Sequence, residues 1–411
     1  MSGIAKKSGK QGTQAGSKKE QGIRTQDNSR VLQALRGIAF SSIIGEKITI
    51  PEVKKAMEEN CNDFEFQECE DPQREAIQFT EFLETKNIFF FLNPESGGAM
   101  LGEITSAQEV RGIRIYELER GVSSFKADAV NVVSQEPQGI MKRIAIMEYD
   151  PAALGLICQQ NGSGASSDVK LDLEQALEIA FEKDIGIYKN LVKTGQEQLL
   201  LKTAVIPSQK ALQTLEAPFE LVALIRMALL AVQKARQDTI SGTLEEAREA
   251  LWRHGKQNTI CHEVHHVLET EKMFTDQRFR NLAMHYQFNP VEKEAMAVLA
   301  EIAFGPNPYL RLFQALNNYL IQSFENVGES ITALNMRDPT LQAFNVVATL
   351  FLEEAREVIL NGTEQYLRNE AIRILDAFYS GMVGIPEYGQ AMKTGEIARE
   401  YAEKQKLSGN V

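Results

Sequence analysis

The chain has 411 residues, of which 43% are hydrophobic and 24% charged, so bulk disorder is excluded and two globular lobes are expected. Four scattered cysteines without a CxxC pair exclude a disulfide framework, and the longest apolar stretch, 219–232, is too short and too charged to cross a bilayer. The net charge of −12 argues against a simple binder of polyanions, and we expect a soluble protein of a reducing compartment.

The charge is unevenly placed along the first part of the chain. Residues 1–28 are rich in Gly, Ser, Gln and Lys, and they predict a disordered basic N-terminal arm. From Val31 the apolar spacing predicts a helix, and Pro51 is expected to open a second helix inside an acidic stretch that runs from Glu52 to Lys86. We assign residues 29–232 to an N-terminal lobe.

Four apolar runs between Ile88 and Tyr149 have strand character, and Gly, Pro and Asn separate them. The expected strands are 88–92, 113–118, 129–133 and 144–149. They predict a small β element within an otherwise helical N-terminal lobe.

The rest of the chain has helical spacing, and three helix starts are recognisable. A capping box begins at Thr243, and Asn289-Pro290 and Asp338-Pro339 pair a cap with a proline in the first turn. Gly255 is expected to end the helix that begins near 243. We assign 233–390 to a C-terminal helical lobe and 391–411 to an exchangeable C-terminal arm.

The sharpest short motif is His262-Glu263-Val264-His265-His266, which fits HExxH. On a helix the two outer histidines of this motif can bind zinc, and the glutamate can act as a base. Glu292, Glu294 and Glu301 are the candidates for a third ligand. Because so short a pattern arises easily by chance, we expect partly exposed histidines without a ligand, no metal site and no enzymatic activity. A zinc metallopeptidase is kept as an alternative.

Basic, amide and aromatic residues alternate from Lys234 onward. Arg248 and Trp252 are four residues apart, so a helix would place a cation beside a stacking surface. Backbone-tracking nucleic-acid grooves use such cations and amides without reading bases. The candidate RNA-binding residues are Lys234, Arg236, Thr239, Arg248, Arg253, Lys256, Gln257 and Asn258.

The stretch Leu224–Asn258, reading LIRMALLAVQKARQDTISGTLEEAREALWRHGKQN, resembles paramyxovirus nucleoproteins. In that family this region lines the RNA groove between two lobes. The matching positions here are Thr239, Arg248, Trp252, Gln257 and Asn258. A second stretch, with Gly381, Gly384, Glu387 and Tyr388 followed by Ala398, Tyr401-Ala402-Glu403 and Gly409, is similar to the end of pneumovirus nucleoproteins.

The resemblance implies a mainly α, two-lobed helical nucleoprotein-like fold, with a small β element and flexible N- and C-terminal arms. It implies a nucleoprotein of a negative-strand RNA virus that polymerises along single-stranded genomic RNA without sequence specificity and without a cofactor. The expected partners are RNA, further copies joined by exchanged arms, a viral phosphoprotein and a polymerase, with no membrane. The expected location is the virion nucleocapsid and the host cytoplasm, with the nucleus left open. A helical coat or scaffold protein of another class is a further alternative.

Overall fold

A computed structural model describes twelve stretches of the chain. They are residues 15–125, 129–136, 139–153, 156, 244–277, 279–281, 290–308, 311–312, 315, 339–353, 363–383 and 390–407.

The elements are numbered here in chain order. Three helices come first, α1 (Ala15–Ile43), α2 (Ile50–Asn60) and α3 (Pro72–Glu84). The strands are β1 (Ile88–Asn93), β2 (Gly98–Val110), β3 (Ile113–Ser123), β4 (Ala129–Glu136) and β5 (Gly139–Tyr149). The later helices are α4 (Leu244–Thr275), α5 (Pro290–Phe304), α6 (Pro339–Glu353), α7 (Glu364–Val383) and α8 (Gln390–Leu407). Helix α1 begins inside the segment expected to be a disordered arm.

Local chemistry explains where several of these elements begin and turn. Helix α2 has a proline in its first turn, and the Glu52 carboxylate accepts hydrogen bonds from the backbone N–H and hydroxyl of Thr49 at 2.8 and 2.7 Å. Strands β2 and β3 are joined by Arg111 and Gly112, which have φ angles of +49° and +76°. Two positive φ values in succession make the tight turn that suits a twisted hairpin.

The five strands form one sheet in the order β1-β2-β3-β5-β4, which puts β4 at an edge. Strands β1 and β2 are antiparallel, with Phe90 opposite Leu101. Strands β4 and β5 are also antiparallel, with Asn131 opposite Ile144.

This sheet corrects the predicted fold class. A mainly α, two-lobed helical nucleoprotein-like fold with only a small β element is wrong, because the strands have 6 to 13 residues and join into one five-stranded sheet. Four strands lie where the sequence predicted them. The unpredicted strand, β2, has few β-branched residues, and its pairing with β1 and its hairpin to β3 hold it in place.

The chain divides into two compact units, each assembled from three segments, where the sequence predicted two consecutive lobes. The first unit contains residues 1–105, 118–126 and 147–160, and its core joins α1, α2 and α3 to β1. The second contains residues 106–117, 127–146 and 161–411. Its core joins parts of strands β2 to β5 to α4 and α8, through Ile144, Val264, Ile397 and Tyr401 among others.

In the second unit, helix α4 is longer than the sequence predicts, and helix α8 occupies the predicted C-terminal arm. Helix α4 continues through Gly255, the predicted helix end, as far as Thr275. Helix α8 lies in the segment predicted as an exchangeable arm, yet it packs on α4 of the same chain and buries Ile397 and Tyr401. Among the described residues, no helix is long and apolar enough to cross a membrane.

Candidate metal centre

Helix α4 carries the HExxH motif at the centre of the second unit. It packs against α5, α8 and the edge strand β4. Because His262 and His266 are four residues apart, the helix directs both rings to one face. That face meets α5, whose residues Ala295–Ala303 are all buried.

Three side chains from the two helices converge at this contact. The ligand atoms of His262, His266 and Glu294 all lie within 4.8 Å of one another. The two Nε2 atoms are 3.1 Å apart, and Glu294 oxygens lie 3.2 Å from Nε2 of His262 and 3.4 Å from Nε2 of His266. Zinc bound tetrahedrally at its usual ligand distances needs donor atoms roughly 3.3 Å apart. The three donors therefore fit a zinc ion.

The site is enclosed but not sealed. The side chains of His262 and His266 are 12% and 14% exposed, and that of Glu294 is 25% exposed. The histidines were expected to be partly exposed and without a ligand, whereas the structure gathers two of them around a carboxylate. The third, His265, points elsewhere on the helix and is fully buried, and its burial lowers its pKa to about 4.

Carboxylates also lie behind the two histidine rings. Nδ1 of His262 is 2.8 Å from Glu301, which is fully buried on α5 two turns after Glu294. Nδ1 of His266 is 3.6 Å from Glu269, which is nearly buried on α4. Metal-binding histidines commonly donate their second ring nitrogen to a carboxylate, which orients the ring and frees the other nitrogen for the metal.

The pKa values of the site reflect this concentration of opposite charges. Burial would lower the pKa of His262, but hydrogen bonds to Glu294 and Glu301 outweigh it and raise the pKa to about 9. Burial also opposes the charge on His266, yet hydrogen bonds to Glu269 and Glu294 raise its pKa to about 10. Burial would raise the pKa of Glu294, whereas the two histidines hold it well below its usual range.

Glu263, the second residue of the motif, is held from strand β4. The side-chain amide of Asn131 donates a hydrogen bond of 2.6 Å to Oε2 of Glu263, whose side chain is almost buried. Glu263 also contributes electrostatically to the raised pKa of His266. One oxygen of the Glu263 carboxylate is therefore fixed by the sheet.

The residues predicted to bind RNA do not form one exposed cluster in the described part of the chain. Lys234, Arg236 and Thr239 lie outside the described residues, as do the side chains of Arg248 and Trp252. Arg253 is exposed, and Gln257 is half-buried. Lys256 forms an ion pair with Glu117. Asn258 is buried, and neither polar atom of its side-chain amide has a hydrogen-bond partner among the described residues.

Sequence reasoning named Glu294 only as one of three candidate ligands, and it missed Asn131, Glu269 and Arg311, which contacts Glu301. The sequence does contain one sign that Glu294 and Glu301 act together: they are seven residues apart, which puts both on the same face of a helix. No protein-family model, curated protein or solved structure matches this chain.

Proposed function

We propose that this protein is a zinc-dependent hydrolase that acts on peptide bonds, with His262, His266 and Glu294 as the zinc ligands. The proposal rests on the convergence of these three donors within 4.8 Å of one another. Two histidines and one carboxylate form the ligand set of catalytic zinc sites, which keep a fourth position open, whereas structural sites are usually closed by four protein ligands. The partial exposure of Glu294 is consistent with an open position.

Zinc, when bound, polarises a carbonyl group and makes water a stronger nucleophile at neutral pH. Glu263 would accept the proton that water loses as its oxygen forms the bond to the carbonyl carbon, as the glutamate of an HExxH motif does. As the carbon–nitrogen bond breaks, the same carboxyl group can deliver this proton to the leaving amine. Atoms and charge then balance without another reactant.

Asn131 supports this role of Glu263 because it binds one of the two carboxylate oxygens. Its amide occupies Oε2 at 2.6 Å, which leaves Oε1 for the proton transfer. Because Asn131 is on the edge strand, the base is fixed by the sheet and the ligands are fixed by the helices. General bases need such positioning because proton transfer requires hydrogen-bond distance.

Iron is the main rival of zinc for these ligands. Two histidines and a carboxylate also bind iron(II) in oxygenases, where the metal has open octahedral positions. The glutamate next to His262 favours zinc, because an oxygenase has no need of a carboxylate base at that position. Metal analysis of the protein separates the two.

The experiment compares the unsubstituted protein with Glu263→Gln after both are loaded with zinc. A mixture of internally quenched peptides and a denatured protein serve as substrates, and cleavage is read by fluorescence and mass spectrometry. We expect cleavage by the unsubstituted protein and a loss of about 10²- to 10⁴-fold in Glu263→Gln, the usual contribution of a general base. Equal zinc content in both proteins is the control. No cleavage by the zinc-loaded, unsubstituted protein would contradict the proposal.

RNA encapsidation stays a prediction from the sequence. It is supported by the resemblance of residues 224–258 to nucleoproteins and by the basic charge of residues 1–36. Nucleic acid in the purified protein, together with rings or filaments in electron micrographs, would favour it. Clean protein without assemblies would count against it and against a viral coat protein.

A further inference from the structure

Glu301 is a charged residue in an otherwise apolar surface. It lies on α5 between buried aliphatic residues, and its side chain is fully buried. A buried carboxylate is costly unless hydrogen bonds and an opposite charge compensate it. Its two oxygens have different partners, since Oε1 faces Nδ1 of His262 at 2.8 Å and Oε2 accepts from Nε of Arg311.

Arg311 is itself held from a third element. Its guanidinium lies over the ring of Phe344 on α6, with 5.8 Å between Cζ and the ring centroid, and its side chain is only 16% exposed. A continuous set of contacts therefore runs from Phe344 through Arg311 and Glu301 to His262. Because the Arg311 guanidinium is already held by these contacts, its side chain loses little further conformational freedom when a metal binds.

The chemistry of these contacts determines which nitrogen of His262 is free. An ionised carboxylate only accepts hydrogen bonds, so Nδ1 of His262 must carry the proton that faces Glu301. The lone pair of the neutral ring is then on Nε2, the atom that faces His266 and Glu294. Arg311 keeps Glu301 in the orientation that makes this arrangement possible.

We propose that Arg311 is a positioning residue that sets the metal affinity of the site by holding Glu301 against His262. The inference rests on the proposed zinc site and assigns a role to two residues outside the HExxH motif. Glu269 is a weaker support for the other ring, because it lies 3.6 Å from Nδ1 of His266. The orientation of His262 therefore depends more strongly on its carboxylate partner.

The test measures zinc affinity by competition with a chromophoric chelator at fixed pH, and it needs no substrate. The variants are Glu301→Gln, Arg311→Gln and Arg311→Lys. We expect Glu301→Gln and Arg311→Gln to bind zinc about 10- to 100-fold more weakly, the usual cost of losing such a supporting partner. Arg311→Lys, which keeps the charge, should recover part of that affinity. The absorption spectrum of cobalt in the same site should change in Arg311→Gln.

Arg373→Gln is the matched control, because Arg373 also pairs with a buried glutamate, Glu370, but it does so on α7 and its own side chain is 60% exposed. It should bind zinc as the unsubstituted protein does. Circular dichroism and thermal unfolding of the metal-free variants identify any loss of folding. If folded Arg311→Gln and Glu301→Gln bind zinc as tightly as the unsubstituted protein, this inference is overturned and the zinc site stands. If the unsubstituted protein binds no zinc, both fail.

Discussion

Glu292 and Glu294 are two residues apart on α5, and only Glu294 reaches the two histidines. A separation of two residues turns a helix by roughly 200°, so the two carboxylates point in nearly opposite directions. Glu294→Ala should therefore weaken zinc binding by more than about 100-fold, since a direct ligand contributes more than a supporting partner. The measurement is zinc affinity by chelator competition.

Glu292→Ala is the matched control for that substitution. It removes the same side chain from the same turn of α5, and we expect its zinc affinity to equal that of the unsubstituted protein. Similar losses in both variants would show that the general charge of α5 attracts zinc and that Glu294 is not a ligand.

At the scale of single residues, the sequence predicts part of the metal site. It shows His262, Glu263 and His266 as a motif, because their spacing is local to one helix. Helical spacing also separates Glu294 and Glu301 from Glu292. Asn131 could not be predicted, since it comes from a strand 132 residues earlier than Glu263. The short motif by itself does not distinguish histidines with a ligand from histidines without one, because the packing of α5 on α4 brings the carboxylate to them.

Helix α4 is continuous through Gly255, where an added methyl group would meet no atom within 4 Å. Glycine in a helix interior is less stable than alanine because its unfolded chain has more freedom. We expect Gly255→Ala to raise the free energy of unfolding by about 0.5 to 1 kcal/mol. Urea denaturation followed by circular dichroism measures the change.

Gly305, just after α5, is the contrasting glycine. A methyl group there would lie 2.6 Å from the backbone oxygen of Glu301 and would also collide with Asn258. Gly305→Ala should lower the free energy of unfolding by about 1 to 3 kcal/mol, as overpacking does. A stabilising effect of Gly305→Ala, or a destabilising effect of Gly255→Ala, would contradict this packing of α4 against the end of α5.

Elements are predictable where their pattern is local. The starts of α5 and α6 at Pro290 and Pro339 are as predicted, since a proline in the first turn fixes the entry to a helix. Strand β2 and the docking of α8 were not predicted. Both depend on partners far along the chain, as when the hydroxyl of Tyr401 donates to Glu117 on β3 at 2.6 Å.

For the molecule as a whole, the charge held at the metal centre makes zinc binding dependent on pH. The pKa values of His262 and His266 are raised to about 9 and about 10 by the surrounding carboxylates, so the metal-free site holds at least one extra proton at neutral pH. Zinc binds neutral rings, so it must displace protons from the site. Affinity should therefore fall as the pH falls.

The predicted increase of zinc affinity with pH continues into the alkaline range. Zinc affinity should rise by about tenfold per pH unit for each proton displaced and continue to rise above about pH 7, since the raised pKa values keep the site protonated at that pH. Calorimetry in buffers with different ionisation enthalpies should detect the release of about one proton or more per zinc near neutral pH. Ordinary histidines would give an affinity that levels off above about pH 7 and little proton release.

The most direct test of the zinc site is the metal content of the full chain. The protein is expressed without a polyhistidine tag, and its metals are measured by inductively coupled plasma mass spectrometry. We predict about one zinc ion per chain. A chelator should remove the zinc and lower the unfolding temperature of the protein, and added zinc should restore the metal content and the unfolding temperature. The variant with both His262→Ala and His266→Ala should hold none. A folded, unsubstituted protein that contains no zinc and takes up none would contradict the account.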